Sequence, residues 1–265
     1  MRAWAMPVAR AWGCLAAVAA VFVVAVWTPV GQRIDSALMG AGFAPLTVPM
    51  EPWQLVRRGS LMVVAALVGV EAIVALARRR WGLVLRCAML VGCATLVTTA
   101  LRRVLTRPEL GDPTYPFNTW PSGHAAASAA LIVSAFVLAP PRWQGVRIRR
   151  LTAVTLVVVA GSSIATLAHR PSDVIAAVLW VAALSAVLFP NGPVGWRALQ
   201  PDLRPAAFCV ALAAVATSLP WLYQLGLLAN GAWLAAAALV AVGWTGPRNG
   251  RSAVAEGRPS RARSR

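Results

Sequence analysis

Only two histidines occur in this chain, His124 and His169, and each lies in a short polar stretch beside an apolar run. His169 opens His169-Arg170-Pro171-Ser172-Asp173. A carboxylate four residues from an imidazole can bond one ring nitrogen. That fixes the tautomer and leaves the other nitrogen as nucleophile or base. The plainer alternative is an interfacial His, with Asp173 merely capping the next helix. His124 closes Pro121-Ser122-Gly123-His124, which opens an apolar run after a loop rich in Pro, Asn and Thr. A helix N-terminus offers free N–H groups and the positive end of the dipole, and both favour a phosphate. Gly123 lets the backbone approach an anion closely. Ser122 can cap the helix or donate its hydroxyl to a phosphate oxygen. The alternative is a simple cap beside a bystander His.

Taken together the pieces fit phosphoryl transfer. The transferred group needs cations and N–H donors on its equatorial oxygens, an attacking group in line, and an acid for the leaving oxygen. Arg107 and the Ser122/Gly123 backbone supply the first, His169 the second and His124 the third. No acidic cluster suited to a metal is present, so neither metal nor cofactor is expected. Glu109 and Asp112 read as the rim of a phosphate pocket.

The elements that must position these residues are membrane helices. Of 265 residues, 59% are hydrophobic and 12% charged, against about 25% charged in a soluble domain. The expected fold is all-α: a polytopic transmembrane bundle of about eight spans, over 11–28, 60–77, 81–101, 122–139, 151–168, 174–190, 205–221 and 225–244. The first reads as an uncleaved anchor, because its apolar run is longer than a signal's and no clear cleavage site follows. All 25 basic residues are Arg, and the net charge is +17. They cluster beside apolar runs and not on a soluble basic face, which excludes nucleic acid as a partner and favours anionic membrane lipids. The four cysteines lie within apolar runs and read as small buried hydrophobes. Residues 246–265 read as a disordered Arg-rich tail.

Arg placement sets the orientation. With both termini in the cytoplasm, nearly every basic cluster is cytoplasmic, and His124, His169 and Arg107 all fall on the opposite face. Two groups break the rule: Arg57 and Arg58 before span two, and Arg102, Arg103 and Arg107 before span four. The second calls for a functional explanation. Glu71 and Arg86 fall within spans two and three at similar depth, and a buried ion pair is expected between them. Trp120 is expected as an interfacial aromatic anchor.

Over about residues 100–185 these motifs resemble the type 2 phosphatidic acid phosphatase superfamily, which is similar to vanadium haloperoxidases and bacterial acid phosphatases. Its signature has three parts. The Pro-Ser-Gly-His part is complete at Pro121–His124. The Lys–spacer–Arg-Pro part retains Arg107-Pro108, and with a shorter spacer Arg102 or Arg103 stands in for the Lys. The third part retains Ser162, His169 and Asp173 at the family spacing, but Ser163 holds the Arg position. Arg170 or Arg103 is a candidate to compensate.

The resemblance implies that His169 attacks phosphorus, Asp173 orients it and His124 protonates the leaving alkoxide. It also implies that Arg107, Arg102, Ser122, Gly123 and Ser162 line the phosphate site. The chain then divides into a phosphatase-like helical domain (1–191, with signature motifs at 102–173), an added helical pair (192–245) and the tail. The expected function is a metal-independent, multi-pass cell-membrane lipid phosphatase. It would act on a polyprenyl or glycerolipid phosphate through a phosphohistidine at the extracytoplasmic face. The alternative is a weak or inactive relative that binds lipid phosphate or serves as a scaffold. A transporter ranks lowest, because the polar cluster lies at one face and not at the midplane. Oligomeric state is not legible.

Overall fold

A computed structural model describes residues 2–41, 50–110, 118–140 and 146–190. The described residues form seven helices: α1 (Arg2–Trp27), α2 (Pro29–Ala41), α3 (Met50–Ala77), α4 (Trp81–Val104), α5 (Gly123–Leu138), α6 (Val146–Ala165) and α7 (Pro171–Leu188). Six coincide with the first six expected spans. The expected spans at 205–221 and 225–244, the tail and Cys209 lie outside the described residues. Four helices, α1, α3, α4 and α7, are long and apolar enough to cross a membrane.

The bundle is built around α5 and α7. Their sequences are runs of Ala, Ser and Val interrupted by few large residues, so neighbouring backbones can approach closely, as helices packed in lipid require. Both are buried along most of their length. Helix α1 packs along α7, while α3, α4 and α6 pack on α5. The outer helices turn the other way. Met62, Val63 and Ile73 of α3 and Leu85 and Leu96 of α4 are exposed. A helix apolar both inside and outside is suited to lipid rather than water.

Two tight turns join consecutive helices by the same device. At the end of α6 the Leu167 N–H donates to Ile164 O (2.8 Å) and the Ala168 N–H to Ser163 O (3.2 Å). Leu167 takes a left-handed conformation, with φ 53°. This is a Schellman termination, with a leucine where glycine is usual. The turn after α3 repeats it, with Arg79 at φ 57° and Arg80 N–H donating to Ala75 O (2.8 Å). The first of these turns delivers His169 directly to the start of α7.

The expected Glu71–Arg86 ion pair is absent. On α4 the buried face is Cys87, Leu90, Ala94 and Thr98. Arg86 precedes that face by one residue, about 100° around the helix, and its side chain is exposed. Glu71 instead lies in the electrostatic neighbourhood of Cys87. Matching depth along two helices did not guarantee matching faces.

Candidate active site

One end of the bundle gathers the polar residues. Helices α2, α3, α5 and α7 meet there with the segments 105–110, 118–122 and 166–170. Pro171 starts α7 without an N–H to leave unsatisfied. Asp173, two residues later, is fully buried. Its Oδ2 accepts a hydrogen bond from the Arg170 N–H (3.1 Å) and another from the Thr119 hydroxyl. The same Oδ2 stands 3.5 Å from His169 Nδ1. The His169 ring is itself 7% exposed. The i,i+4 spacing read in the sequence is thus realised as a close imidazole–carboxylate approach, without a hydrogen bond at Nδ1. Asp173 also caps α7, through the Arg170 N–H.

The start of α5 docks on the start of α7. The Ser122 N–H donates to the Asp173 carbonyl (2.9 Å). The Ser122 hydroxyl oxygen accepts from the Ala125 N–H (3.2 Å), making it the N-cap of α5. Backbone donation at Ser122 is therefore spent on Asp173. The first helical N–H groups, those of Gly123 and His124, have no intrahelical acceptor and face the site end. Gly123 is required by a close approach. A methyl group built on it falls 2.8 Å from an Arg102 guanidinium nitrogen and 3.5 Å from the guanidinium carbon. Arg102 therefore lies directly over the α5 N-terminus. Arg103, the other candidate, is exposed.

Arg107 completes the cluster. Its NH2 is 3.6 Å from Asp35 Oδ2 and its NH1 is 4.0 Å from Asp173 Oδ1. Both nitrogens are buried, and neither has a hydrogen-bond partner. Burial and the neighbouring Arg170 push this guanidinium below its usual range, and Asp35 and Asp173 pull it back. Arg170 is buried too, with Nε donating to Ser36 Oγ (3.2 Å). Arg170 thus lies inside the cluster, whereas Arg103 is exposed. His124 is exposed at its edge. Arg57, Arg58 and Arg102 lie close enough to act electrostatically on His124. Members of both sets of arginines that broke the charge-topology rule, Arg57, Arg102 and Arg107 among them, thus lie at this end of the bundle.

Three expected site features differ in detail. Ser162 is buried and its hydroxyl donates to Val159 O (2.6 Å) within its own helix, so that proton is already engaged. Ser163 is also buried, and its carbonyl accepts from the N–H groups of Ala168 and His169 (3.2 and 3.1 Å). It shapes the turn that presents His169. Trp120 is not an interfacial anchor. It is 3% exposed and packs on Phe22, ring centroids 4.5 Å apart, because α1 and α7 close over it. Glu109 is exposed, while Asp112 and the loop 111–117 lie outside the described residues. Among the described residues no three His, Cys, Asp or Glu side chains gather closely enough to hold a metal.

Helix α2 adds polar residues that none of the motifs includes. Gln32 Nε2 donates to Pro108 O (2.7 Å), and the Leu110 N–H donates to Gln32 Oε1 (3.4 Å). Asp35 accepts from the Ser172 N–H (3.0 Å) and from the Ser172 hydroxyl. With Ser36 on Arg170, three α2 side chains grip both the Arg107 segment and the α7 start. The signal was present: Gln32, Asp35 and Ser36 fall at i, i+3 and i+4, one polar stripe on a helix.

Such a constellation matches a recognised family. The family model of the PAP2 superfamily matches residues 102–194. That segment belongs to the PAP2 superfamily. The matched span runs from Arg102 through all of the motif residues to beyond α7. PAP2 members are phosphatases, which supports a phosphoric ester hydrolase here. The chain matches no curated protein and no solved structure.

Proposed function

We propose that the chain is a membrane lipid phosphatase acting through a phosphohistidine intermediate on a polyprenyl or glycerolipid phosphate. The observation that carries it is the His169–Asp173 pair, set beside two guanidinium groups and a helix N-terminus at one end of an apolar bundle. The substrate phosphate sits against Arg107, Arg102 and the first N–H groups of α5, with its acyl or prenyl chains along the apolar outer helices. His169 Nε2 attacks phosphorus as the P–O bond to the lipid breaks. His124 gives its proton to the leaving alkoxide. Water, deprotonated by His124, then attacks the phosphohistidine and releases phosphate, regenerating His169. Asp173 stabilises the imidazolium, and no metal takes part. This end lies on the extracytoplasmic side, supported by the Arg-rich loops at the other end.

The test is phosphate release by purified protein in detergent, without added metal, over a panel of lipid mono- and diphosphates. His169→Ala is the control. Undiminished release from that variant eliminates His169 as nucleophile.

One observation favours a second reading. Ser163 replaces the family Arg, which removes one phosphate-binding cation. On that reading the chain binds lipid phosphates with little or no turnover. Ser163→Arg separates the two: a gain in turnover identifies a weakened enzyme, and binding without turnover identifies a lipid-phosphate receptor or scaffold.

A further inference from the structure

Asp35 is the least expected member of the cluster. It lies outside all three motif parts, on α2. It is 4% exposed, yet it stands among charges. The groups that face it are Arg107 from the 105–110 segment, and Asp173 and Ser172 from α7. Arg170, at the same end of α7, reaches the neighbouring Ser36. Arg33 on α2 itself points outward. The packed part of α1 brings no charge there, since Arg10 lies far down that helix.

The geometry around Arg107 is that of a held cation and not a saturated one. Two carboxylates flank it at 3.6 and 4.0 Å, but neither makes a hydrogen bond with NH1 or NH2. The Asp35 oxygens are committed to Ser172 instead. The N–H fork of Arg107 thus holds no hydrogen bond that an arriving phosphate would have to break. An arriving phosphate brings more negative charge beside two buried carboxylates. Three anions around one guanidinium in a buried cluster cannot all remain ionised at little cost. Asp173 already accepts hydrogen bonds from the Thr119 hydroxyl and the Arg170 N–H and stands beside His169. Asp35 accepts from Ser172 alone, and it is the carboxylate nearer to Arg107. Burial, and then the charge of Asp173, raises its pKa to about 6 against the opposing pull of Ser172 and Arg107.

We propose that Asp35 is the proton-linked counterion of Arg107: a phosphate that engages Arg107 takes Asp35's place as its anionic partner, and Asp35 takes up one proton from solvent. The proposal rests on the phosphatase reading only in requiring a phosphate at Arg107. Asp35 is a positioning residue, since it acts through Arg107 and touches no reacting atom. By linkage, phosphate affinity and proton affinity rise together. Full uptake of one proton corresponds to a tenfold tightening of phosphate binding for each pH unit lowered, over the window above about 6.

The experiment is calorimetric binding of inorganic phosphate to the full chain in detergent. It is run from pH 6 to 8 in pairs of buffers that differ in ionisation enthalpy. Asp35→Asn is treated identically, which cancels the ionisation of phosphate itself. The wild type is expected to take up as much as one proton more than the variant, and to gain affinity with falling pH up to tenfold per unit faster. Ser172→Ala keeps Asp35 but removes a hydroxyl that favours its ionised form, so its proton uptake is expected to shift to higher pH. This second variant answers the question if Asp35→Asn does not fold. Equal proton counts in wild type and Asp35→Asn, or an unshifted Ser172→Ala profile, overturn the proposal and leave the phosphatase reading standing. Absence of both phosphate binding and lipid-phosphate turnover in the wild type overturns the phosphatase reading, and this proposal with it.

Discussion

Gly123→Ala separates the site from the fold. The new methyl carbon falls 2.8 Å from the Arg102 guanidinium nitrogen. Ordinary van der Waals contact begins near 3.4 Å, so the guanidinium must retreat by at least the difference, about 0.6 Å, and more if it turns away. What moves is the end of a flexible side chain, so the helix keeps its place. In the first turn of α5, alanine is also the better helix former, by up to about 1 kcal/mol. Stability is therefore expected to hold or rise slightly. The cost falls on phosphate binding. A charge-assisted hydrogen bond contributes about 1.5–3 kcal/mol, and losing one from Arg102 lowers kcat/KM about 10- to 150-fold at about 1.4 kcal/mol per decade. The assay is phosphate release from the best lipid substrate, paired with a thermal melt in the same detergent. An unchanged kcat/KM in a folded variant refutes a phosphate role for Arg102 over the α5 N-terminus. A large loss of stability refutes the claim that only the guanidinium has to move.

Arg107→Ala leaves Asp35 and Asp173 without their shared counter-charge. Breaking one partner of a buried pair costs about 3–5 kcal/mol, so a marked drop in Tm at pH 7 is expected, and adding Asp35→Asn should recover much of it. Asp35 carries its own pH signature. Its folded pKa, about 6, exceeds the ordinary 3.8, so the folded state binds more protons between those values and stability falls as pH rises through that window. Thermal melts from pH 3.5 to 7 should show that slope, flattened in Asp35→Asn. Arg57→Ala removes a charge that acts on His124. A several-fold rise in KM is expected with the melt unchanged, and an unaltered KM would remove Arg57 from the site. Asp173→Asn keeps the shape but loses the charge beside His169 Nδ1. A fall in kcat of about two orders of magnitude or more is expected, and single-turnover phosphate release measures it.

The local parts of the site were legible because they are local. His169 and Asp173 are four residues apart across a turn and one helical start. Pro171 and the position of Ser163 suffice to bring them together. Pro121–His124 likewise forms a cap from its own residues. Six of the helices lie on apolar runs legible in the sequence, four of them long enough to cross a bilayer. Arg57 and Arg102 were flagged by sequence as charges on the wrong side, but only as anomalies.

Their common destination was decided by packing. Asp35 reaches Ser172 across 137 residues of sequence, and no spacing rule connects them. Arg102 differs from Arg103 by one position on a helix, about 100° of rotation, and only the docking of α4 on α5 decides which one lies over Gly123. The same rotation separates Arg86 from the packed face at Cys87, which is why a pair argued from depth alone did not form. Sequence by itself therefore determined the six apolar helices and which polar residues their ends carry, because both depend on neighbours within a turn or two. Tertiary structure alone decided which cations share the site and that Asp35 balances them, because these depend on helix rotation and on contacts between distant segments.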